Sequence, residues 1–133
     1  MSRVFVDTSA FLALGVASDS AHERAVRAFE GIRARRETLV TSSYVLVETY
    51  ALLARRHGLE AVRVFRDTMA PLLGVVWVEA TLHDRGLDLM LKLGKRAVSL
   101  VDTVSFLVIR DHKLDVVFAY DGDFEEQGFP LVD

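Results

Sequence analysis

The sequence predicts an α/β fold with a mostly parallel sheet of four to five short strands, covered by helices on both faces. Two observations carry this. Apolar runs at Val4–Val6, Leu39–Thr41, Val75–Val78 and Val116–Ala119 show no polar alternation, as strands buried on both faces require. Between them lie segments with apolar residues at helical spacing, the alternation that builds parallel sheets. The length of 133 residues suits one domain spanning the chain, 1–133.

The first strand, Val4-Phe5-Val6, runs into Asp7, and Ala10–Leu14 then begins a helix. After a polar break at 17–20, Ala21–Arg36 reads as an amphipathic helix ending in a basic cluster. Basic residues suit a helix C-terminus, so that cluster needs no ligand. Leu39–Thr41 is the second strand. Ser42 or Ser43 caps a helix over Tyr44–His57, which Gly58 stops. Leu59–Leu73 is a further helix, interrupted late by Pro71. The third strand, Val75–Val78, leads to a helix begun by Thr81 or Asp84, with Leu87, Leu91 and Ala97 or Val98 facing inward. Ser99–Lys113 is apolar nearly all round, as a buried helix is. The fourth strand ends in the turn Tyr120–Phe124. A short helical stretch precedes Gly128, and Phe129–Val132 is an expected edge strand, where a proline is tolerated.

Bulk properties exclude several classes. Apolar residues make up 51% and charged residues 26%, which rules against disorder. No apolar run approaches a membrane span, and no membrane partner is expected. Met1-Ser2-Arg3 leads straight into a strand, so no signal peptide is expected; with no cysteine, a cytoplasmic location fits. A net charge of -3 speaks against gripping nucleic acid by charge alone, although divalent ions bound by acidic residues invert the local sign. The sequence has no Asn and far more Arg than Lys, as either a thermophilic source or a GC-rich genome would explain.

Most acidic residues sit on solvated helix faces. Glu48, Asp102 and Asp7 do not: each lies on an element that faces the core, and Asp121 follows a buried strand as Asp7 does. A buried carboxylate must be paired, hydrogen-bonded, metal-bound or protonated. Arg55 and Arg110 are the candidate partners for a buried ion pair with Glu48 and Asp102. Alternatively, all four acids converge at the carboxyl edge of the sheet. Two such charges at 4 Å repel by about 4 kcal/mol at an effective dielectric of 20. One or two Mg²⁺ or Mn²⁺ ions relieve that repulsion, and they would activate water and clamp a phosphodiester. The lack of Cys, and of His beside these acids, argues against zinc.

These residues resemble the PIN domain, and more closely the short VapC-type toxins of toxin–antitoxin pairs. The resemblance rests on Val6-Asp7-Thr8-Ser9-Ala10-Phe11, Val47-Glu48-Thr49, Ser99-Leu100-Val101-Asp102-Thr103 and Tyr120-Asp121-Gly122-Asp123-Phe124, in that order. It implies a three-layer α/β/α fold and a metal-dependent endoribonuclease leaving a 5′ phosphate and a 3′ hydroxyl. It also implies a homodimer, and an antitoxin protein that blocks the site. By position, Asp7, Glu48, Asp102 and Asp121 form the acidic set holding Mg²⁺ or Mn²⁺. Ser9 matches a residue supporting the first acid, and Thr103 is a similar candidate; helix capping then passes to Thr8 or Ser9.

Asp121 is preferred to Asp123 as the fourth acid because it repeats the placement of Asp7, leaving Asp123 to cap the next helix. Arg55, Arg56, His57, Lys92, Lys95 and Arg96 are candidates for RNA phosphate contact, with solvated helix ends as the plainer reading. A haloacid-dehalogenase-like phosphatase and a receiver domain are weak rivals, because Ser9 stands where the first needs a second Asp and the third strand ends in Glu79-Ala80 where the second needs a phosphorylatable Asp. The remaining alternative is a catalytically silent interaction module of the same fold.

Overall fold

The structure, a computed structural model, describes residues 2–133. Strands β1 (Arg3–Val6), β2 (Thr38–Ser42), β3 (Leu73–Val76) and β4 (Val116–Phe118) form one all-parallel sheet in the order β3-β2-β1-β4. The helices are α1 (Thr8–Gly15), α2 (His22–Ala34), α3 (Ser43–His57), α4 (Leu59–Thr68), α5 (Ala80–Leu93), α6 (Leu100–Asp111) and α7 (Gly122–Glu126).

Strand β1 lies inside the sheet because Val4, Phe5 and Val6 present no polar side chain to either face, and all three are essentially inaccessible. From β1 the chain moves outward through β2 to β3, then returns to place β4 on the opposite side of β1. This reversal opens a crevice beyond the carboxyl ends of β1 and β4, where open parallel sheets bind ligands. The ladder continues past β1, with the Asp7 amide donating to Phe118 O at 3.1 Å. At the opposite edge the Arg3 amide donates to Asp115 Oδ2 at 2.7 Å, so Asp115 stands far from the crevice.

Two packing devices fix the helices that frame this crevice. Gly86 of α5 lets α6 approach closely: a Cβ there would lie 2.5 Å from Val104 Cγ2. Below the crevice, Phe5, Phe106 and Phe124 cluster, with Phe106 and Phe124 edge to face at 5.2 Å between ring centroids. Phe124 is fully buried and roots α7, a helix of only 5 residues, in the core.

Several expectations require correction. The segment predicted as one helix over Leu59–Leu73 ends at Thr68, and a 3-10 turn at Ala70–Leu72 carries Pro71 at its start. Consequently β3 begins at Leu73 instead of Val75, and Trp77 lies beyond it at 73% exposure. The inward stripe of α5 is Leu82, Gly86, Leu89 and Leu93, with Leu87 and Leu91 turned outward. The helix stops at Gly94 in the left-handed conformation, so Ala97 and Val98 lie outside it. Leucine at two candidate phases concealed the true one, which is set by the close approach at Gly86. The expected strand over Phe129–Val132 is reduced to one parallel bridge, Val117↔Leu131, beside β4.

Candidate metal centre

Asp7 is the first residue after β1 and the N-cap of α1. Its Oδ2 accepts the Ser9 amide at 3.1 Å and the Ser9 hydroxyl at 2.7 Å. Ser9 Oγ in turn accepts the Tyr120 amide at 2.9 Å, tying the end of β1 to the turn after β4. Capping therefore has not passed to Thr8 or Ser9, since the cap side chain is Asp7 itself. Thr8 Oγ1 faces inward, within 3.4 Å of Val45 O and 3.3 Å of Thr49 Oγ1, and braces α1 against α3.

Asp102 stands in the first turn of α6 as part of a capping box. Its Oδ2 accepts the Ser99 amide at 2.9 Å while Ser99 Oγ accepts the Asp102 amide at 3.1 Å. Asp121 is the N-cap of α7, and its Oδ1 accepts the Asp123 amide at 2.9 Å. Asp123 does not cap that helix. The two acids compared for the fourth position both stand in the crevice. Asp102, Asp121 and Asp123 each offer a carboxylate oxygen, and these atoms lie within 4.8 Å of one another.

Three of the acids thus share one design. Each gives one oxygen to a backbone amide at a helix N-terminus, where the dipole favours negative charge. Among the described residues the second oxygen, Oδ1 of Asp7 and Asp102 and Oδ2 of Asp121, accepts no hydrogen bond.

Glu48 differs. It lies on α3, half-buried, and among the described residues is tied to no amide; its charge is felt at Asp102. Thr103 is directed elsewhere, with Oγ1 donating to Gly86 O at 2.8 Å, so it joins α6 to α5, and among the described residues its hydroxyl bonds to none of these acids. The buried ion pairs weighed for Glu48 and Asp102 do not form: among the described residues neither makes a salt bridge, and Arg110 lies over the Phe129 ring instead.

The electrostatics reflect this crowding. Burial pushes the Asp7 carboxyl up from its ordinary 3.8 to about 6, against the pull of the Ser9 hydrogen bonds, and the charges of Asp102 and Asp121 add to the rise. Burial likewise raises Asp102, helped by the charges of Asp121 and Glu48. Asp123 is raised by burial and by the neighbouring Asp121 carboxylate, with the charges of Asp102 and Glu126 adding to the rise.

The donor set fits a hard divalent cation. All the candidate ligand atoms are oxygens, among the described residues no cationic side chain pairs with them, and their spacing is close to that of ligands sharing one ion, about 3–4 Å at Mg²⁺–oxygen distances near 2.1 Å.

Sequence reasoning missed two further features. Tyr120, beside Asp121, carries the Arg24 guanidinium over its ring at 5.2 Å. The hydroxyls of Thr41 and Thr49 are fully buried, one donating to Val6 O at 2.8 Å and the other to Val45 O at 2.8 Å. Their only signal in sequence is hydroxyl residues inside otherwise apolar runs. Of the basic residues considered for RNA contact, Lys95 is paired with Glu126 at 2.6 Å.

Comparison with known proteins agrees with this architecture. The sequence profile described as PIN domain matches residues 4–130. The 23S rRNA-specific endonuclease VapC20 of Mycobacterium tuberculosis is 35% identical over 127 residues, covering 95% of each chain. The crystal structure of that VapC20, described as a Sarcin-Ricin loop cleaving toxin, superposes with a TM-score of 0.82 over 95% of both chains. FitAcB from Neisseria gonorrhoeae is 14% identical, with a TM-score of 0.71 over 98% of this chain and 96% of its own. VapBC2 from Rickettsia felis, bound to a DNA fragment from its promoter, is 13% identical, with a TM-score of 0.71 over 97% and 96%. These last two bear on the fold alone.

Proposed function

The chain belongs to the PIN domain family, and from that premise we propose that it is a metal-dependent endoribonuclease, the toxin of a VapBC-type pair. Asp7, Glu48, Asp102 and Asp121 are its acidic set, with Asp123 beside them and Mg²⁺ or Mn²⁺ as the ion. The observation that carries this reading is the group of carboxylate oxygens from Asp102, Asp121 and Asp123 within 4.8 Å, with no salt-bridge partner among the described residues, at the reversal point of the sheet.

When bound, one or two divalent ions supply charge neutralisation, polarisation of a phosphodiester and activation of water for in-line attack. The protein's part is positional. Backbone amides at three helix starts fix Asp7, Asp102 and Asp121 and leave one oxygen of each available. Ser9 locks Asp7 to the Tyr120 turn, so acids from opposite ends of the sequence keep one spacing. Burial of Asp7 keeps bulk water from its inner face.

The RNA class follows the relative: ribosomal RNA is the proposed substrate. A homodimer is proposed from large exposed apolar side chains, Val47 on α3, Trp77 beyond edge strand β3 and Leu91 on α5, at 67%, 73% and 70% exposure. A cognate antitoxin completes the assignment. No helix of the described residues is long and apolar enough to cross a membrane.

The test is cleavage of purified ribosomal RNA with Mg²⁺, with Mn²⁺ and with chelator. Cutting only with metal, and none by Asp102→Asn, is expected. Undiminished cutting in chelator would overturn the assignment; partner binding without cleavage in any divalent ion would favour the silent interaction module.

A further inference from the structure

The crevice poses an electrostatic problem. Its acids repel the phosphates of an RNA strand, so a cation beside it is needed to hold the strand while the ions engage the reacting phosphate. Five basic side chains are neutralised by carboxylates: Arg35, Arg63, Arg66, Arg85 and Lys95. Among the described residues two arginines lie over aromatic rings. Arg110 is at the end of α6 that leads to the amino edge of the sheet, away from the acids. Arg24 lies over Tyr120, the residue before Asp121.

Arg24 projects from the first turns of α2, exposed, with its guanidinium carbon 5.2 Å from the centroid of the Tyr120 ring. Tyr120 is not a free surface ring. Its amide is bonded to Ser9 Oγ, which is bonded to Asp7 Oδ2, and Asp121 is the next residue in the chain. Arg24 is thus connected to two of the acids through one residue, Tyr120, whose backbone is bonded to Ser9 and precedes Asp121. A planar ring fixes the plane of a guanidinium without consuming its N–H donors, which remain free for a phosphate.

We propose that Arg24, seated on Tyr120, binds an RNA phosphate flanking the scissile one and so positions the strand across the acidic crevice. This rests on the nuclease reading above and adds a substrate-binding residue outside its acidic set. The contact is to the backbone, so it contributes affinity and register without base specificity.

The experiment measures binding of a labelled single-stranded oligoribonucleotide as a function of salt, in an Asp102→Asn background that does not cut, together with cleavage by otherwise wild-type protein. Arg24→Ala is expected to weaken binding on the order of fivefold at physiological salt and to lower the slope of log affinity against log salt by about 0.7, the value for one phosphate contact on a single strand. In cleavage it raises KM and leaves kcat within about twofold. Arg24→Lys restores the salt slope. Tyr120→Leu, which keeps the backbone bond to Ser9 but removes the seat, raises KM in the same direction. Arg110→Ala, removing one cation at the far edge, leaves slope and KM at wild-type values. Cleavage by wild type with an unchanged KM and salt slope in Arg24→Ala overturns the Arg24 contact alone. Failure of wild type to cut RNA with either metal overturns the nuclease reading, and this inference with it.

Discussion

At the scale of single residues, the centre turns on carboxylates held where ionisation is costly. The folded state raises Asp7 from 3.8 to about 6, so it retains a proton that the unfolded chain has lost. Without metal, stability is highest below about pH 4 as far as Asp7 is concerned, and falls as pH rises through 6, by up to about 3 kcal/mol. Asp102 and Asp123 are raised too and act in the same direction. In chelator, thermal melts are therefore expected to show a lower midpoint at pH 7 than at pH 5, and saturating Mn²⁺ at pH 7 is expected to reverse the loss, by about 2.7 kcal/mol at a hundredfold excess over Kd. Asp7→Asn removes the buried charge and keeps an acceptor for Ser9; it is expected to raise the metal-free midpoint at pH 7 while cleavage falls at least about a hundredfold. Ser9→Ala tests the support. It leaves Asp7 Oδ2 with the amide alone and the Tyr120 amide without its acceptor, and a loss of about ten- to a hundredfold in activity or metal affinity is expected.

The elements act by delivering helix starts to one place. Helices α1, α6 and α7 each begin at the crevice and each contributes an amide-bonded acid. The position of α6 depends on Gly86, whose missing side chain admits the fully buried Val104. Gly86→Ala gains about 1 kcal/mol of helix propensity. It also forces α6 away or Val104 into strain, at about 1–3 kcal/mol. Net destabilisation of about 1 kcal/mol is expected in denaturant titrations, together with weaker Mn²⁺ binding, because Asp102 moves with its helix. Phe124 plays the corresponding part for α7. A helix of 5 residues cannot sustain itself, so Phe124→Ala is expected to cost about 3–5 kcal/mol and to release Asp121 and Asp123 together. Amide exchange in the α7 turn reports that release.

For the molecule as a whole, the order β3-β2-β1-β4 is decisive, because it sets the ends of β1 and β4 side by side. The one Trp, Trp77, stands exposed just past edge strand β3 and reports on assembly. If this face pairs two copies, its emission shifts to the blue with rising protein concentration, and Trp77→Ala sediments as a monomer under conditions where the parent is a dimer. Fold class, the parallel strands and the buried α6 were legible in the sequence, because burial on two faces leaves unbroken apolar runs; an acid among such runs, such as Asp7 or Asp102, is conspicuous there as a candidate. The start of β3 and the inward phase of α5 were not. Pro71 and a surplus of leucines permit more than one local solution, and contacts with distant residues choose between them. The same holds for the opening segment. From residues alone, Asp7 was either a helix cap or a metal ligand. The tertiary structure shows it capping α1 with one oxygen and leaving the other without a hydrogen-bond partner, beside acids more than ninety residues away. A local pattern specifies which atoms a residue offers; only the packed chain decides which of them remain unused.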